Sequence, residues 1–406
     1  MTDAAAPAVA SEGAPLERRS LIFLLAGCSA LGPLSSLLVM PALPAIRESF
    51  AASTASTQAV VSAFLLAFAC AILIAGPVSD RYGRRPVIFA GMIIFIAGSA
   101  LAAIAPSLPA LIFARVVQAI GAAIGLTIAR AIVGDIYSDW RMARALANLT
   151  MAMMLGTTIS PYLGGVVTEL FGWHANFVVM LSLAVLITIA AWRLLPETRP
   201  AAATTQSFAE LRTSSAKVLR NPVFFACALD AGVIYAVYLV FISVAPYVMS
   251  EMLGRPPTDF GIYVLLLSCG YFFGNLYVSK RGNAQNMGGL SRFGSMLQAG
   301  SALLALGFVL AGFTHPLFWF LPMLPLAFAQ GLSLPHVTST AVRLAPGYAG
   351  VASSLIGFSQ QAIAAASVQG IGFAPTNSPL PVLICCAALS LVSLLTMVLL
   401  RRRESG

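Results

Sequence analysis

Apolar residues in this chain occur in long, nearly uninterrupted segments, and short polar loops separate one segment from the next. A helix needs about 20 apolar residues to cross a bilayer. Twelve segments of about this length can be read along the sequence, and each predicts a transmembrane helix. They cover 20–42, 56–78, 87–105, 109–134, 145–168, 174–195, 223–249, 260–279, 291–313, 317–341, 348–372 and 379–400.

One long polar interval divides these segments into two sets of six. The sequence therefore predicts an all-α membrane protein whose twelve transmembrane helices form two six-helix bundles. The expected organisation is a disordered cytoplasmic tail (1–19), an N-terminal bundle (20–196), a cytoplasmic linker (197–221), a C-terminal bundle (222–400) and a cytoplasmic tail (401–406). Within the linker we expect a short surface helix over Phe208–Leu219.

Composition agrees with lipid as the main solvent of the chain. Hydrophobic residues make up 59% of the 406 residues and charged residues 9%, whereas soluble domains have roughly 45–50% and about 25%. All six cysteines lie inside apolar segments without metal-ligand spacing, so we interpret them as small packing residues and expect no metal site. The first apolar segment is too long for a signal-peptide core and is interpreted as a retained helix.

The basic residues indicate the orientation of the helices. Net charge is +9, but the Lys and Arg residues lie in the loops and do not form one basic face, so we do not expect nucleic acid as a partner. Cytoplasmic loops of membrane proteins are enriched in Lys and Arg. With both termini in the cytoplasm, all but four of the 23 basic residues fall on the inner side, the exceptions being Arg47, Arg255, Arg115 and Arg130. This pattern predicts a multi-pass protein of the bacterial inner membrane.

The loop between the second and third segments contains a specific motif. It reads Gly76-Pro-Val-Ser-Asp80-Arg81-Tyr-Gly83-Arg84-Arg85, and it matches every fixed position of G-x-x-x-D-R-x-G-R-R. A positive-inside loop needs only basic residues, so the acidic residue and two glycines at this spacing are not explained by topology. The motif resembles the loop signature of the major facilitator superfamily.

Two further motifs narrow this resemblance. The fourth segment has Arg115-Val-Val-Gln118-Ala-Ile-Gly121, which is similar to the superfamily element R-x-x-Q-x-x-G. The fifth has Gly156 to Gly165, similar to the antiporter signature G-x-x-x-G-P-x-x-G-G, with Ser160 in place of the second glycine. Together with Met40-Pro41-Ala-Leu-Pro44, these motifs resemble the Bcr/CflA group of drug:proton antiporters.

The resemblance implies roles for residues of the loop motif and the fifth segment. Asp80 is expected to face a helix N-terminus, and Arg84 to pair with Asp135, so that the cytoplasmic side stays closed in the outward-facing state. The implied gating residues are Gly76, Asp80, Arg81, Gly83, Arg84, Arg85 and Asp135. Gly121 and Gly125 of the fourth segment could serve only close helix packing, and the glycines and proline of the fifth segment could merely bend a helix. A bent, glycine-lined helix also suits a transporter of two halves, so we expect a hinge formed by Gly156, Pro161, Gly164 and Gly165.

Charges inside membrane segments are costly and mark functional candidates. The candidates are Arg115, Arg130 and Asp230. The resemblance implies that Arg115 faces the central cavity, whereas Arg130 could reach the membrane surface or pair with Asp135. Asp230 lies about eight residues into the seventh segment. Relatives commonly have an acid near the end of the first segment, where this chain has Leu37-Leu38-Val39-Met40. Proton coupling would therefore use Asp230 or a histidine such as His336, unless Asp230 is held in a structural pair and His336 serves only packing.

A substrate cavity is expected near the bilayer midplane between the bundles. Methionine and aromatic side chains suit adaptable binding of amphiphilic compounds, although most such residues in a membrane protein face lipid or serve packing. The residues predicted to line it are Met40, Gln118, Tyr235, Tyr238, Phe358 and Gln361.

These observations predict a proton-coupled transporter that exports small hydrophobic or cationic compounds by alternating access. A symporter that imports a metabolite, or an exporter of a native metabolite, remains an alternative. The chain has no G-x-x-x-x-G-K-[ST] loop and no cluster of catalytic residue types, so we expect neither a cofactor nor enzymatic activity. The expected partners are a small-molecule substrate, protons and the lipid bilayer, with the protein acting as a monomer.

Overall fold

A computed structural model describes residues 15–137, 139–199, 208–283, 285–313 and 315–404, and their regular secondary structure is helical throughout. The α-helices are α1 (Pro15–Val39), α2 (Leu43–Ser49), α3 (Thr54–Tyr82), α4 (Arg84–Ala103), α5 (Leu108–Ile136), α6 (Asp139–Phe171), α7 (His174–Leu194), α8 (Phe208–Leu219), α9 (Pro222–Tyr247), α10 (Pro257–Arg281), α11 (Met287–Leu310), α12 (Leu317–Arg343), α13 (Ala349–Ile371) and α14 (Leu380–Glu404). One turn of 3-10 helix, Met40–Ala42, joins α1 to α2, and a π-helical turn, Val248–Met252, follows α9.

The predicted fold class is confirmed. Eleven spans among the described residues are long and apolar enough to cross a membrane. The twelfth long helix, α6, has 33 residues but a more polar sequence, because threonine, serine and glycine interrupt its apolar positions. The predicted helix over Phe208–Leu219 is also confirmed, as α8.

Both ends of the described chain are more helical than the sequence suggested. The helix α1 begins at Pro15, and α14 continues to Glu404, so each helix extends into a segment predicted to be a tail. The predicted tail residues 1–14, the linker residues 200–207 and residues 405–406 lie outside the described residues.

Local capping signals explain where several membrane helices begin. The Ser53 side chain accepts a hydrogen bond from the Ser56 backbone at the start of α3, and Ser107 does the same for Ala110 at the start of α5. Asn221 caps α9 and is followed by proline at the first helical position. These residue types satisfy the unpaired backbone N–H groups of a helix N-terminus, so the loops fix the ends of the spans.

The two halves of the chain, α1–α7 and α9–α14, pack against each other mainly through α3 with α13 and α6 with α10. Glycines permit the close approach. A Cβ at Gly165 would lie 2.5 Å from the Pro257 carbonyl oxygen, and one at Gly261 would collide with the Tyr162 backbone. We call the side of the molecule that contains Arg47 and Glu251 the Arg47 face, and the opposite side, with the α3–α4 turn, the Arg84 face.

Candidate functional site

The loop motif forms a compact charged cluster at the Arg84 face. Arg84 is 8% exposed, and its Nε donates to Asp135 Oδ2 at 2.9 Å while its Nη1 donates to Asp80 Oδ1 at 2.5 Å. The same nitrogen donates to the Ser79 hydroxyl at 2.6 Å. The structure thus brings together the three residues Asp80, Arg84 and Asp135 that the sequence singled out. All of them belong to the first half of the chain.

A residue that the sequence analysis did not select, Glu197, completes this cluster. Its carboxylate accepts the backbone N–H groups of Arg84 at 2.9 Å and Arg85 at 3.1 Å, so Glu197, not Asp80, lies at the N-terminus of α4. Gly83 has φ of +97°, and a Cβ there would lie 2.8 Å from a Glu197 oxygen. The motif glycine is therefore needed both for the backbone conformation and for the carboxylate beside it. We call Asp80, Arg84, Asp135 and Glu197 the Arg84 cluster.

Hydrogen bonds to Glu197 hold its charged form. Partial burial acts to raise the pKa of its carboxyl group, but the backbone N–H groups of Arg199, Arg84, Arg85 and Thr198 together outweigh this, and the pKa is lowered. A carboxylate that accepts several N–H donors at a helix N-terminus is stabilised as the anion. The segment that follows α7 is thereby fastened to the start of α4.

The other motif residues have less specific surroundings. The Arg85 guanidinium donates to the Trp192 carbonyl at 3.2 Å, and the Arg81 carbonyl accepts from Arg199 at 3.0 Å. Around Gly76 there is open space, because a Cβ built there would meet nothing within 4 Å. The structure therefore offers no packing reason for glycine at position 76.

A second charged cluster joins the halves at the Arg47 face. Arg47, at the end of α2, forms an ion pair with Glu251 at 2.9 Å. Thr376 donates to the other Glu251 oxygen at 3.0 Å, and Arg47 also donates to Thr54 at 3.1 Å. We call Arg47, Thr54, Glu251 and Thr376 the Arg47 cluster. Unlike the Arg84 cluster, it has members in both halves.

Further hydrogen bonds between the halves continue inward from the Arg47 cluster. The Gln58 amide donates to the Ser243 carbonyl at 3.0 Å, and Ser62 donates to Gln369 at 2.6 Å. Ser62 lies eight residues into α3, which corresponds to about 12 Å along the helix. Near the rim, Thr258 of α10 donates to Glu169 of α6 at 2.5 Å. The structure is therefore a conformation in which the halves are closed at the Arg47 face.

Arg115 points into the interior of the first half, which differs from the expected position at the central cavity. It is 0% exposed, donates to Ser35 at 2.6 Å, to Gln118 at 2.5 Å and to the Val60 carbonyl at 3.2 Å, and its guanidinium lies 3.9 Å from the centre of the Phe64 ring. Gln118 is fully buried in the same cluster and does not line a cavity between the halves. Helix α5 presents these residues to α1 and α3, a choice of helix face that sequence spacing does not reveal.

Asp230 is the corresponding buried charge of the second half. It is 0% exposed, and its Oδ1 accepts a hydrogen bond from Ser393 of α14 at 2.6 Å. Its Oδ2 is buried, and no residue that the structure describes forms a hydrogen bond to it. Among the described residues no cation pairs with Asp230. Asp230 therefore faces the interior of its own bundle.

The other residues predicted to line the cavity differ in burial: one is fully buried and four are half-buried. Met40 is fully buried in the 3-10 turn, which packs on helices of both halves. Tyr235 and Tyr238 of α9 are half-buried. Phe358 and Gln361 of α13 are half-buried as well, and within the described part of the chain the Gln361 Oε1 atom accepts no hydrogen bond. His336, the histidine predicted as a possible proton site, is half-buried and lines a cavity inside the second half at the Arg84 face.

The residues predicted as a hinge in α6 serve close packing in this conformation. A Cβ at Gly164 would collide with the Leu38 carbonyl of α1, whereas Gly156 has only ordinary contact with Leu34. Ser160, the departure from the signature, donates to the Leu34 carbonyl at 3.0 Å. The Pro161 backbone lies against Gly261 of α10 in the other half.

Comparison with known proteins places this architecture in a family. The family profile of the Major Facilitator Superfamily matches residues 25–368. The chain belongs to the major facilitator superfamily. It is therefore a multi-pass membrane transporter that moves small molecules across a lipid bilayer, and not an enzyme.

Relatives of this facilitator include proteins named for drug resistance. It is 27% identical over 346 residues to Multidrug resistance protein D of Escherichia coli, an alignment that covers 83% of this chain and 84% of that protein. It is 29% identical over 364 residues to Multidrug resistance protein MdtL of Citrobacter koseri, covering 87% and 90%. The crystal structure of the human organic anion transporter MFSD10 has the same fold, with a TM-score of 0.68 at 19% identity and coverage of 95% and 100%.

Sequence reasoning missed the Arg47 cluster and Glu197 of this facilitator. Arg47 and Glu251 are separated by 204 positions (251 − 47) in the chain, so no local motif connects them. A usable signal was present, because opposite charges end the first helices of the two halves. Glu197 lies in the predicted linker (197–221), and the sequence shows no partner for its acidic side chain.

Proposed function

We propose that this transporter exports small hydrophobic or cationic compounds in exchange for protons, by alternating access between its two halves. The names of the relatives support the substrate class. The contacts that join the halves at the Arg47 face support alternating access, because this mechanism requires contacts between halves that form and break at one face. The basic Arg84 face is the cytoplasmic side of the inner membrane under the positive-inside rule.

Proton coupling is assigned to Asp230. The observation that supports it is a fully buried acid with one unpaired carboxyl oxygen inside a membrane helix. Ionisable residues at this depth are costly and commonly belong to proton relays. Arg115 differs, because its contacts to α1, α3 and α5 fix it in place, and we assign it to the rigid core of the first half.

The driving force comes from the membrane potential and the pH gradient together. Each proton that enters down the electrical gradient supplies about 2.3 kcal/mol per 100 mV. The transporter acts as a monomer in this proposal, since one chain supplies both halves and both charged clusters. It needs no nucleic acid or cofactor.

The test is accumulation of ethidium, a fluorescent cation, in inverted membrane vesicles that contain the transporter. An imposed pH gradient should drive accumulation with the native chain. The variant Asp230→Asn should reduce accumulation to the level of vesicles without the protein, because the amide cannot exchange a proton. Asp259→Asn makes the same chemical change at the Arg47 face, where Asp259 pairs with Arg255, and should accumulate ethidium normally.

Two outcomes would contradict this proposal. Full gradient-driven accumulation by Asp230→Asn, at equal protein level and melting temperature, would remove Asp230 from the mechanism. Uptake of a metabolite into right-side-out vesicles, driven by the pH gradient without transport of any cationic dye, would instead support the alternative of a metabolite symporter.

A further inference from the structure

A cavity of about 220 Å³ lies at the Arg84 face inside the second half of the chain. Four helices of that half form it, namely α9, α11, α12 and α14. Its polar lining residues are Gln285, which is exposed, and Arg292, His336 and Thr340, which are half-buried. Its deeper wall includes Cys227 and Met397. No described residue of the first half lines it, so the cavity is separate from the space between the halves.

The deep end of this cavity lies one helical turn from Asp230. Cys227 precedes Asp230 by three positions on α9, and Met397 follows Ser393 by four positions on α14. Residues at these spacings lie on the same face of a helix. Ser393 donates to Asp230 at 2.6 Å, so Cys227 and Met397 together cover the Asp230–Ser393 pair on the side of the cavity.

The side chains of Cys227 and Met397, which separate the cavity from Asp230, can change position more easily than branched side chains such as leucine or valine. Met397 is 7% exposed and Cys227 is 3% exposed. Methionine is unbranched and flexible, and cysteine is small, so a rotation of Met397 would open space toward Asp230. The unpaired Oδ2 atom of Asp230 is available to a water molecule that enters.

Few other titratable groups face this region. Near Asp230, α9 contributes Cys227, α12 contributes His336, and α11 contributes Arg292 at the cavity wall. Helix α13, which packs closely on α9, has no ionisable residue, and neither has α14 between Ala387 and Leu400. The Arg343 side chain, at the end of α12, donates to Thr340 at the cavity mouth.

We propose that this cavity is the water route by which protons pass between the Arg84 face and Asp230. A proton leaves the Asp230 carboxyl for a water molecule in the cavity, and the carboxylate is later protonated again from water. Substrate uses the space between the halves, so the two paths are separate. This inference rests on the assignment of Asp230 as the proton site.

Entry of water can be measured without any transport assay. Cys227 serves as the reporter in a chain whose other cysteines (Cys28, Cys70, Cys269, Cys385 and Cys386) are replaced by serine. A small charged thiol reagent, 2-sulfonatoethyl methanethiosulfonate, is added to either side of oriented lipid vesicles. Cys227 should react from the Arg84 face and only at the background rate from the Arg47 face.

Filling the cavity should stop this reaction. Gly288 lines the cavity, and a Cβ there would be 3.9 Å from the His336 ring, so Gly288→Phe places an aromatic ring inside it. The matched control is Gly300→Phe on the same helix, where a Cβ meets nothing within 4 Å. Gly288→Phe should reduce labelling of Cys227 to background, and Gly300→Phe should leave it unchanged. Equal melting temperatures of the two variants exclude a folding defect.

A second readout connects the cavity to Asp230. The infrared carbonyl band that is lost in Asp230→Asn should shift in D₂O, and Gly288→Phe should slow this exchange while Gly300→Phe does not. Labelling of Cys227 that is equal from both faces, or unaffected by Gly288→Phe, would overturn the route itself. If labelling follows the prediction but the band exchanges equally fast in both variants, protons reach Asp230 by another path and the proposal fails. Failure of the transport test with Asp230→Asn would leave the labelling result intact, so the two failures are distinguishable.

Discussion

The two charged clusters of this transporter differ in which parts of the chain they join. The Arg47 cluster links the first half to the second through the ion pair of Arg47 and Glu251. The Arg84 cluster links α3, α4, α5 and the segment after α7, all within or adjoining the first half. When the halves separate at one face, only contacts between halves must break. The Arg47 cluster can therefore control opening, whereas the Arg84 cluster can persist in every conformation as part of a rigid half.

This difference modifies the role implied by the family resemblance. The loop motif was expected to hold the cytoplasmic side closed in the outward-facing state. In the structure its three charges are already paired with one another while the opposite face is closed. We propose that the Arg84 cluster keeps the first half rigid and presents its outer surface to the second half when the Arg84 face closes.

The largest expected effect comes from breaking the Arg84 cluster. Arg84→Leu leaves Asp80 and Asp135 without their cation in a mostly buried site, and removing one partner of a buried pair costs roughly 3–5 kcal/mol. Because the Asp80 side chain is 29% exposed, we expect about 3 kcal/mol of lost unfolding free energy, measured by denaturant titration in detergent.

The control for Arg84→Leu is Arg81→Leu, which removes a neighbouring but exposed arginine. It should change the unfolding free energy by less than about 0.5 kcal/mol. If both variants were equally stable, the Arg84 cluster would not be a structural element of the first half.

A smaller effect is expected at the Arg47 face, and it should appear in a different quantity. Arg47 and Glu251 are each between a quarter and a third exposed, and partly exposed ion pairs contribute about 1 kcal/mol or less. A double-mutant cycle with Arg47→Ala and Glu251→Ala should give a coupling of that size in the open–closed equilibrium, which is roughly a fivefold change in the ratio of states.

The cycle is measured by fluorescence energy transfer between labels on the two halves, and unfolding free energies of the same variants are the control. We expect the unfolding free energies to change little, since each half keeps its own core. A coupling near zero in the conformational equilibrium would mean that the ion pair does not hold this face closed.

The smallest expected effect concerns Glu197 and depends on pH. The pKa of the Glu197 carboxyl group in the folded protein is lowered from the ordinary value of 4.5. The carboxylate therefore contributes fully to the unfolding free energy at pH values above 4.5, and this contribution is lost as pH falls through the lower folded-state pKa. Glu197→Gln should therefore melt at a lower temperature than the native chain at pH 7, and the difference should shrink at pH values below 4.5.

Glu210→Gln is a suitable comparison for Glu197→Gln, since Glu210 lies in the surface helix α8 and belongs to neither cluster. If the melting difference for Glu197→Gln stayed constant from neutral to acid pH, the negative charge of Glu197 would not be what stabilises the N-terminus of α4.

Local patterns predicted most of the fold but only part of the site. The spans followed from apolar segments. The pair of Arg84 and Asp135 followed from the loop motif together with the position of Asp135 at the inner end of the fourth segment. The direction of Arg115 could not be predicted, because a helix that is apolar on all sides gives no periodic signal to show which face is buried in its own bundle. Arg47 and Glu251 meet only through the packing of two halves, which depends on the whole chain.

The central claim is that the halves exchange between closure at the Arg47 face and closure at the Arg84 face. Spin-label distances in lipid nanodiscs test this most directly, with one pair at Glu48 and Arg255 on the Arg47 face and another at Arg144 and Lys280 on the Arg84 face. We predict two populations for each pair, with short distances at one face accompanying long distances at the other, and a shift between them when pH changes or when Glu251 is replaced by alanine. A single distance for each pair that neither pH nor Glu251→Ala alters would contradict the account.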